Sequence, residues 1–453
     1  MPLRAPIRKL LWNDVYREVD LYKAALRVYT KPLFGWRKAL FTSSDGRTLY
    51  DLAAHGLPTL DRIDRELRHH RFTFRPSVAL QYNFNGKHRT LYIAPWEERI
   101  VDLLLYRILT TELQDWYSPS SYAYRERRFG LDRCQSRIAQ LFRTSAGPLF
   151  AIKRDISNYF ASVNHDLLLA QLRELVSADD YLFHLLQQRV AFAYNDADGE
   201  HRATLGIPLG AAVACAFANI YLTPLDRQIE SIQGVHYFRY ADDLLAIAPT
   251  FDAACEVRER MVQQLEQVQL RTKATHELDL ALKGALGPGF HAAIELRHLG
   301  LQFSETGSVG LSRDKSRKIQ NLFRFAFRRS HKRWKKLRDP QQRAQALVQI
   351  SAQTIDRGVR NVAIIDYYLK HLTDERRLKL IDRWLAEEIL ASVFGGHKKK
   401  HFQRLSFTEL RSMGLPSLVH RRRLILRKEI ESPFFVWQHQ KAQRAFRGTV
   451  ARA

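Results

Sequence analysis

The chain has 453 residues, of which 45% are hydrophobic and 26% charged, and this excludes a largely disordered protein because enough apolar residues are present to build a core. Lys and Arg number 72 against 47 Asp and Glu, and the net charge of +25 points to a polyanionic partner, most often nucleic acid. Three widely spaced cysteines, Cys134, Cys215 and Cys255, exclude a disulfide framework and argue against a structural zinc site.

The first residues carry no long apolar run, so no signal peptide is expected, and no stretch approaches the length of a membrane span. A reducing cytoplasm fits. Residues 1–75 read as helical and basic, with Leu60, Ile63 and Leu67 at helical spacing among arginines. Asn83 to Lys87 reads as a turn, its Asn85-Gly86 pair suiting a hairpin. Leu91–Ala94 reads as a strand, and Pro95 opens a helix over about 96–113 with Glu97 and Glu98 in its first turn. Residues 148–154 read as a buried strand ending at Asp155. Residues 165–193 read as helix, 206–210 as a glycine-bounded loop, and 211–225 as an apolar helix buried on most sides. Two strands, 235–240 and 244–248, flank a tight turn at Ala241-Asp242-Asp243. Helix returns over 251–270, loop over 282–291, and His298–Phe303 reads as a strand. From about 312 the strands stop. Residues 312–338 hold twelve Lys and Arg against one acid, Asp314, with Phe323, Phe325, Phe327 and Trp334 interleaved. Residues 341–453 read as helices with basic clusters at Lys398–Lys400 and Arg421–Arg423.

Carboxylates at a strand end and in a tight turn of so basic a chain need a reason. Asp155, Asp242 and Asp243 suit Mg²⁺, which takes a few carboxylates plus substrate phosphates. They also suit plain turn and cap positions, where Asp is common.

Six boxes, in order, resemble those of the reverse transcriptases. They are Lys87–Ile100 (a fingers motif), Ser121-Tyr122-Ala123-Tyr124-Arg125, and Ile152–Phe160 with Asp155 at its strand end. Then come Gly206-Ile207-Pro208-Leu209-Gly210 with Phe217–Leu222, Phe238-Arg239-Tyr240-Ala241-Asp242-Asp243-Leu244, and His298–Phe303 as a Leu-Gly strand. The resemblance implies an α+β, right-hand polymerase. Its N-terminal helical extension covers 1–75, its fingers 76–147, and its palm 148–310 with a fingers insertion around 165–210. The palm is an antiparallel sheet packed on helices. An all-α thumb spans 311–345 and a helical C-terminal region 346–453.

The same resemblance implies that Asp155, Asp242 and Asp243 are the catalytic, metal-binding triad for two Mg²⁺ ions, with Mn²⁺ as a substitute. It gives Lys87 and Arg89 the triphosphate, Phe160 the exclusion of a 2′-hydroxyl, and Leu209 and Gly210 the nucleotide's surroundings. Tyr240 is placed at the primer end, Asn219 behind the nucleotide site, and Arg125 on template or incoming base, with a structural ion pair as its alternative. Arg317, Lys318, Arg324, Arg328, Lys332 and Arg333 would track nucleic-acid phosphates. Two departures stand out. Leu209 occupies a position where many relatives have Gln, and the expected Asn-x-x-Lys-Thr pattern is missing, with Lys273 and Lys283 as candidate substitutes.

The implied partners are dNTPs, an RNA template or noncoding RNA, and the DNA product, with a partner protein or a homo-oligomer as further candidates and no membrane. Leu209 and the long helical tail lean towards the bacterial defence-associated, unknown-group enzymes. Retron, diversity-generating and intron-type enzymes share most boxes. A non-templated or protein-primed DNA synthesiser, an RNA-binding maturase or scaffold, and an RNA-dependent RNA polymerase are the other readings.

Overall fold

The computed structural model of the protein describes residues 8–32, 35–84, 87–125, 129–356 and 363–430. Two compact units divide the chain. The first comprises residues 1–134 and 147–292, the second 135–146 and 293–453.

Unit one is built on a five-stranded sheet. Its strands are β3 (Leu149–Asp155), β6 (His236–Tyr240), β7 (Asp243–Ala248), β8 (Leu278–Leu282) and β9 (His291–Ala292), in the order β6-β7-β3-β8-β9. β3 is central and antiparallel to both β7 and β8. Its residues Leu149–Ile152 are fully buried, which explains the unbroken apolar run that marks it in the sequence. Helix Phe251–Gln267 packs on β3 and β7, and helix Val213–Glu230 packs on β6 and on helices Trp96–Glu112 and His165–Leu175. Phe217, Ile220, Tyr221 and Leu222 are wholly buried, as their continuous apolarity requires.

A second sheet joins β1 (Ser77–Phe84), β2 (Lys87–Ile93), β4 (Ala193–Asp196) and β5 (Gly199–Arg202) in the order β2-β1-β4-β5. β1 and β2 pair from Val78–Ile93 to Phe84–Lys87, the hairpin expected from Asn85-Gly86, although that turn itself lies outside the described residues. The N-terminal helices share the apolar core with helix Trp96–Glu112, through Leu21, Ala24, Ile63 and Leu67, and charge adds to that packing. Arg47 and Arg75 reach Glu97 at 2.6 and 3.0 Å, and Arg75 reaches Glu98 at 2.6 Å. Deeper inside, Arg189 and Asp102 pair at 2.7 Å with both side chains 1% exposed, fixing helix Tyr181–Val190 to helix Trp96–Glu112.

Three expectations need correction. Residues 165–193 form two helices, His165–Leu175 and Tyr181–Val190, because Asp180 caps the second by accepting from Leu182 N–H at 2.8 Å. Strand β8 lies where no strand was expected, between helix 251–267 and the loop at 283–290. Residues 298–303 are a hairpin, not one strand. β10 (Glu295–His298) pairs with β11 (Leu301–Ser304) across Leu299-Gly300, whose φ values are +49° and +86°. Positive φ at both turn residues suits the right-handed twist of the flanking strands. A Cβ on Gly300 would also lie 2.5 Å from Lys315 Cε.

In unit two, β10, β11 and β12 (Val309–Leu311) form a three-stranded sheet. This sheet sits with the helices that follow and not with the five-stranded sheet, so the division between units falls at 292 and not at 310. Segment 135–146 joins it through Phe142, whose ring lies 6.0 Å from Phe303, and through Gln135, whose side-chain amide donates to Leu299 O at 3.0 Å. Helices Arg313–Arg329, Pro340–Asp356 and Arg376–Phe394 pack on one another. No helix among the described residues is long and apolar enough to cross a membrane.

Candidate active site

The backbone register assembles the site. Asp155, the last residue of β3, stands directly opposite Asp243, the first of β7. Tyr240 pairs with Asp243 and closes a two-residue turn made of Ala241 and Asp242. Ala241 has φ +58°. A non-glycine residue in the left-handed region costs about 1–2 kcal/mol, and such strain persists only where the surroundings hold it. Here Ile156 N–H grips the turn by donating to Asp242 O at 3.1 Å. Like charges at directly opposed sheet positions are destabilising, so three acids at this corner are set against folding stability.

Burial and repulsion bear on two of these acids. Burial pushes Asp243 up to about 6, with Asp155 adding to the shift and Lys153 opposing it. Burial and then the charge of Asp155 raise Asp242, against the pull of Lys273 and Arg89. Lys153 Nζ stands 3.5 Å from Asp243. Lys273 Nζ donates to Asp155 Oδ1 at 2.5 Å, its backbone N–H donates to Asp155 O at 2.8 Å, and His276 Nδ1 lies 3.5 Å from Asp155 Oδ2. Of the two lysine candidates, Lys273 is the one at the carboxylates.

No set of three or more His, Cys, Asp or Glu side chains stands in ion-ligating geometry among the described residues. The donors nonetheless fit a hard divalent cation. They are carboxylate oxygens, burial and mutual repulsion raise two of them, and an ammonium already sits on the third.

Behind the turn lies a network that the sequence reading did not pick out. Arg239, wholly buried, places Nε and Nη2 each 2.7 Å from the two oxygens of Asp226 on helix 213–230. Its Nη1 donates to Asn219 Oδ1 at 3.1 Å, and the Asn219 amide donates to Ala123 O at 2.9 Å. Arg239 N–H donates to Ser120 O at 2.8 Å, and Tyr122 N–H donates to Arg239 O at 2.9 Å. The Ser121–Arg125 box therefore runs along the open edge of β6, and Asn219 braces it from helix 213–230. An ion pair at 0% exposure was the available signal, and burial is not visible in a lone Arg.

The other predicted residues divide. Arg89 is exposed on β2 and is felt electrostatically by Asp242. The Lys87 side chain lies outside the described residues. Phe160 sits in a short 3₁₀ turn, edge-on to Tyr124 at 6.3 Å. The 206–210 loop presses on that turn: Ile207 N–H donates to Phe160 O at 2.7 Å, and a Cβ on Gly206, at φ +82°, would lie 3.0 Å from Phe160 O. Leu209 O accepts from Tyr92 N–H at 2.9 Å, tying the loop to β2, and Gly210 backs onto Tyr92 O.

Arg125 is corrected. Its guanidinium donates to the carbonyls of Gln114, Ser118 and Ser121 at 2.6, 2.5 and 3.1 Å and lies 3.5 Å from the Phe129 ring centroid, so it clamps a loop through carbonyls, where an ion pair was the structural alternative. Arg317, Lys318, Arg328, Lys332 and Arg333 are exposed in unit two, as expected, while Arg324 is ion-paired to Glu388 at 3.3 Å. Phe323, Phe327 and Trp334 are core, leaving Phe325 as the exposed aromatic of that segment. The 421–423 cluster is largely neutralised internally, Arg421 by Asp366 at 2.6 Å and Arg422 by Glu375 at 2.8 Å.

With this geometry in hand, residues 80–275 match the family described as reverse transcriptase (RNA-dependent DNA polymerase). That match spans both Asp155 and the Asp242-Asp243 turn. Curated relatives include a putative COX1/OXI3 intron 1 protein of Saccharomyces cerevisiae, 26% identical over 48% of this chain and 25% of that protein. Another is an uncharacterized 91 kDa protein in a cob intron of Schizosaccharomyces pombe, 26% identical over 39% of this chain and 21% of that protein. The chain thus spans about a quarter of the length of these relatives. Among solved structures, telomerase of Candida albicans in complex with a fragment of telomeric RNA aligns at TM-score 0.44 and 10% identity, over 81% of this chain and 69% of that one.

Two outcomes follow. Arg239→Met leaves Asp226 buried without its counter-charge and should destabilise unit one by about 3–5 kcal/mol, whereas Arg239→Met with Asp226→Leu should recover much of the loss in urea titrations. A carboxyl held above its ordinary pKa is destabilising once ionised, so without metal the protein should lose stability as pH rises through about 6. Asp243→Asn should flatten that dependence and add about 1–3 kcal/mol near pH 8, read by melts at pH 5 and 8 in chelator.

Proposed function

We propose that the protein is an RNA-directed DNA polymerase that extends a primer with dNTPs by nucleotidyl transfer at Asp155, Asp242 and Asp243. The supporting observation is the register that sets Asp155 opposite Asp243 with Asp242 in the intervening turn, inside the stretch that matches the reverse transcriptase family. In this reading Asp155 and Asp242 hold the divalent ions, and Asp243 shapes their charge. Two bound Mg²⁺ ions, or Mn²⁺ in their place, would supply charge neutralisation at the attacking 3′-hydroxyl and the leaving pyrophosphate. The chain contributes position and field. Arg89, with Lys87, meets the triphosphate from β2. Phe160, held by Tyr124 and the 206–210 loop, closes the floor beneath the sugar and rejects a 2′-hydroxyl. Leu209 puts an apolar side chain in a loop whose carbonyl is already bonded to Tyr92, so sugar selection there is steric. Tyr240, beside Asp243, supports the primer end. Lys273 relieves Asp155 of its charge until the ions bind.

The exposed cations of helix 313–329 and its extension, Arg317, Lys318, Arg328, Lys332 and Arg333, bind the phosphates of the RNA template and the RNA/DNA product. Leu209 and the helical mass beyond residue 340 support a place in bacterial antiviral defence with a noncoding RNA. An intron-type enzyme is the second reading, favoured by the two relatives named for introns.

Labelled dNTPs with Mg²⁺ and a primed RNA test the reading. Wild type should give product, and Asp242→Asn should lower incorporation by about 10³-fold or more, as expected when charge stabilisation of a transferring phosphoryl group is lost. Equal product from both overturns it. Phe160→Val should raise ribonucleotide use relative to dNTPs by about 10–100-fold, the range a single steric contact commands, measured as the ratio of kcat/KM values.

A further inference from the structure

Unit two contains a cleft of about 460 Å³, of whose lining residues the polymerase reading uses Arg328 alone. One wall is helix Arg313–Arg329 with its continuation His331–Trp334, and the other is helix Arg376–Phe394. The lining is of two kinds. Phe327 and Trp334 are buried and line it with aromatic surface, and the Trp334 indole N–H is spent on Phe327 O at 3.0 Å. Around them stand Arg324, Arg328 and His331, all exposed. The remaining charge is one acid, Glu388, which is shared between Arg324 at 3.3 Å and His397 at 3.4 Å.

A basic helix that only follows a duplex backbone needs cations on a convex face. This one also borders a recess with an aromatic lining, two guanidinium groups and an imidazole at its mouth, and one hydrogen-bond-accepting carboxylate. A flat ring with N–H donors on its edge and a phosphate on its flank matches each part. The ring lies against Phe327 and Trp334, the edge reaches Glu388, and the phosphate meets Arg324, Arg328 and His331. The volume lies in the range of small-ligand sites, about 300–1,000 Å³. The partly polar lining argues against an apolar side chain as the occupant, and the net positive mouth argues against a cationic one.

We propose that this cleft binds one unstacked nucleoside 5′-phosphate, separately from the carboxylate site. The proposal rests on the nucleic-acid-binding reading of this chain. The ligand can come from two sources, an unpaired base within a bound RNA strand or a free nucleotide.

The test uses the full chain, freed of copurified nucleic acid and without Mg²⁺. Three probes are titrated: a single-stranded oligoribonucleotide with one 2-aminopurine, 2-aminopurine riboside 5′-monophosphate, and a blunt RNA/DNA duplex. Ser392, on the far wall, spends its hydroxyl on Glu388 O of its own helix. Ser392→Trp fills the cleft and Ser392→Ala leaves it open. Ser392→Trp should weaken the single strand at least tenfold and abolish its 2-aminopurine change, while Ser392→Ala and duplex affinity stay as in wild type. Binding of the monophosphate at comparable affinity assigns a free nucleotide, and its failure to bind assigns a base within a strand. Wild-type binding of the single strand by Ser392→Trp overturns the proposal while leaving the polymerase reading intact. Failure of wild type to bind either strand or duplex overturns both. If Ser392→Trp melts early, Ser392→Met takes its place, with His331→Ala as a variant that removes a phosphate contact of the cleft alone without filling the space.

Discussion

Three carboxylates at one corner of a sheet repel one another, and much of unit one is arranged to hold them there. The pairing of β3 with β7 makes Asp155 and Asp243 neighbours at no cost in sequence distance, although 87 positions separate Asp155 from Asp242. Lys153 and Lys273 supply positive charge from in front. From behind, the buried Arg239–Asp226 pair and the Asn219 amide fix β6 and its turn against helix 213–230. Removing any of these supports leaves the repulsion and the left-handed Ala241 unopposed. The arrangement is costly by itself, and under the proposed reading bound cations would offset that cost, which is the behaviour expected of a site kept for charge and not for stability.

Much of this was legible in the sequence because its signals are local. The apolar run before Asp155, the tight turn at 241–243 and the Asn-Gly hairpin each depend on a few adjacent residues. The losses came where the decisive partner is remote. Arg125 reads like any arginine in a basic chain, and only the fold shows three carbonyls converging on its guanidinium. Lys273 and Lys283 are equivalent on paper, and β8 decides between them by leading residues 272–273 past Asp155. Leu-Gly at 299–300 looks like strand interior until paired positive φ values reveal a turn. Aromatics at 323, 325 and 327 look alike, yet helical periodicity buries the outer two and leaves Phe325 in solvent.

The excess charge is likewise not spread evenly in its effect. Arginines at 47, 75, 189, 239, 421 and 422 are consumed by internal acids. Each such pair removes one cation and one acid together, so the net charge of +25 is left for the remaining side chains to carry. Among the exposed cations, those of helix 313–329 and its extension form one dense run with a single acid, Asp314.

Segment 135–146 packs with strands that lie about 150 residues later in the chain. On a ribosome moving at about 5–20 residues per second, those partners emerge roughly 7–30 s after it does. Throughout that interval Phe142 and Ile138 have no core to enter, while all of unit one is being completed around the point where the segment departs. The chain thus folds its first unit with the apolar face of an amphipathic helix held in reserve. A fragment beginning at residue 293 would lack that helix, so the second unit is a product of the whole chain and not a detachable tail.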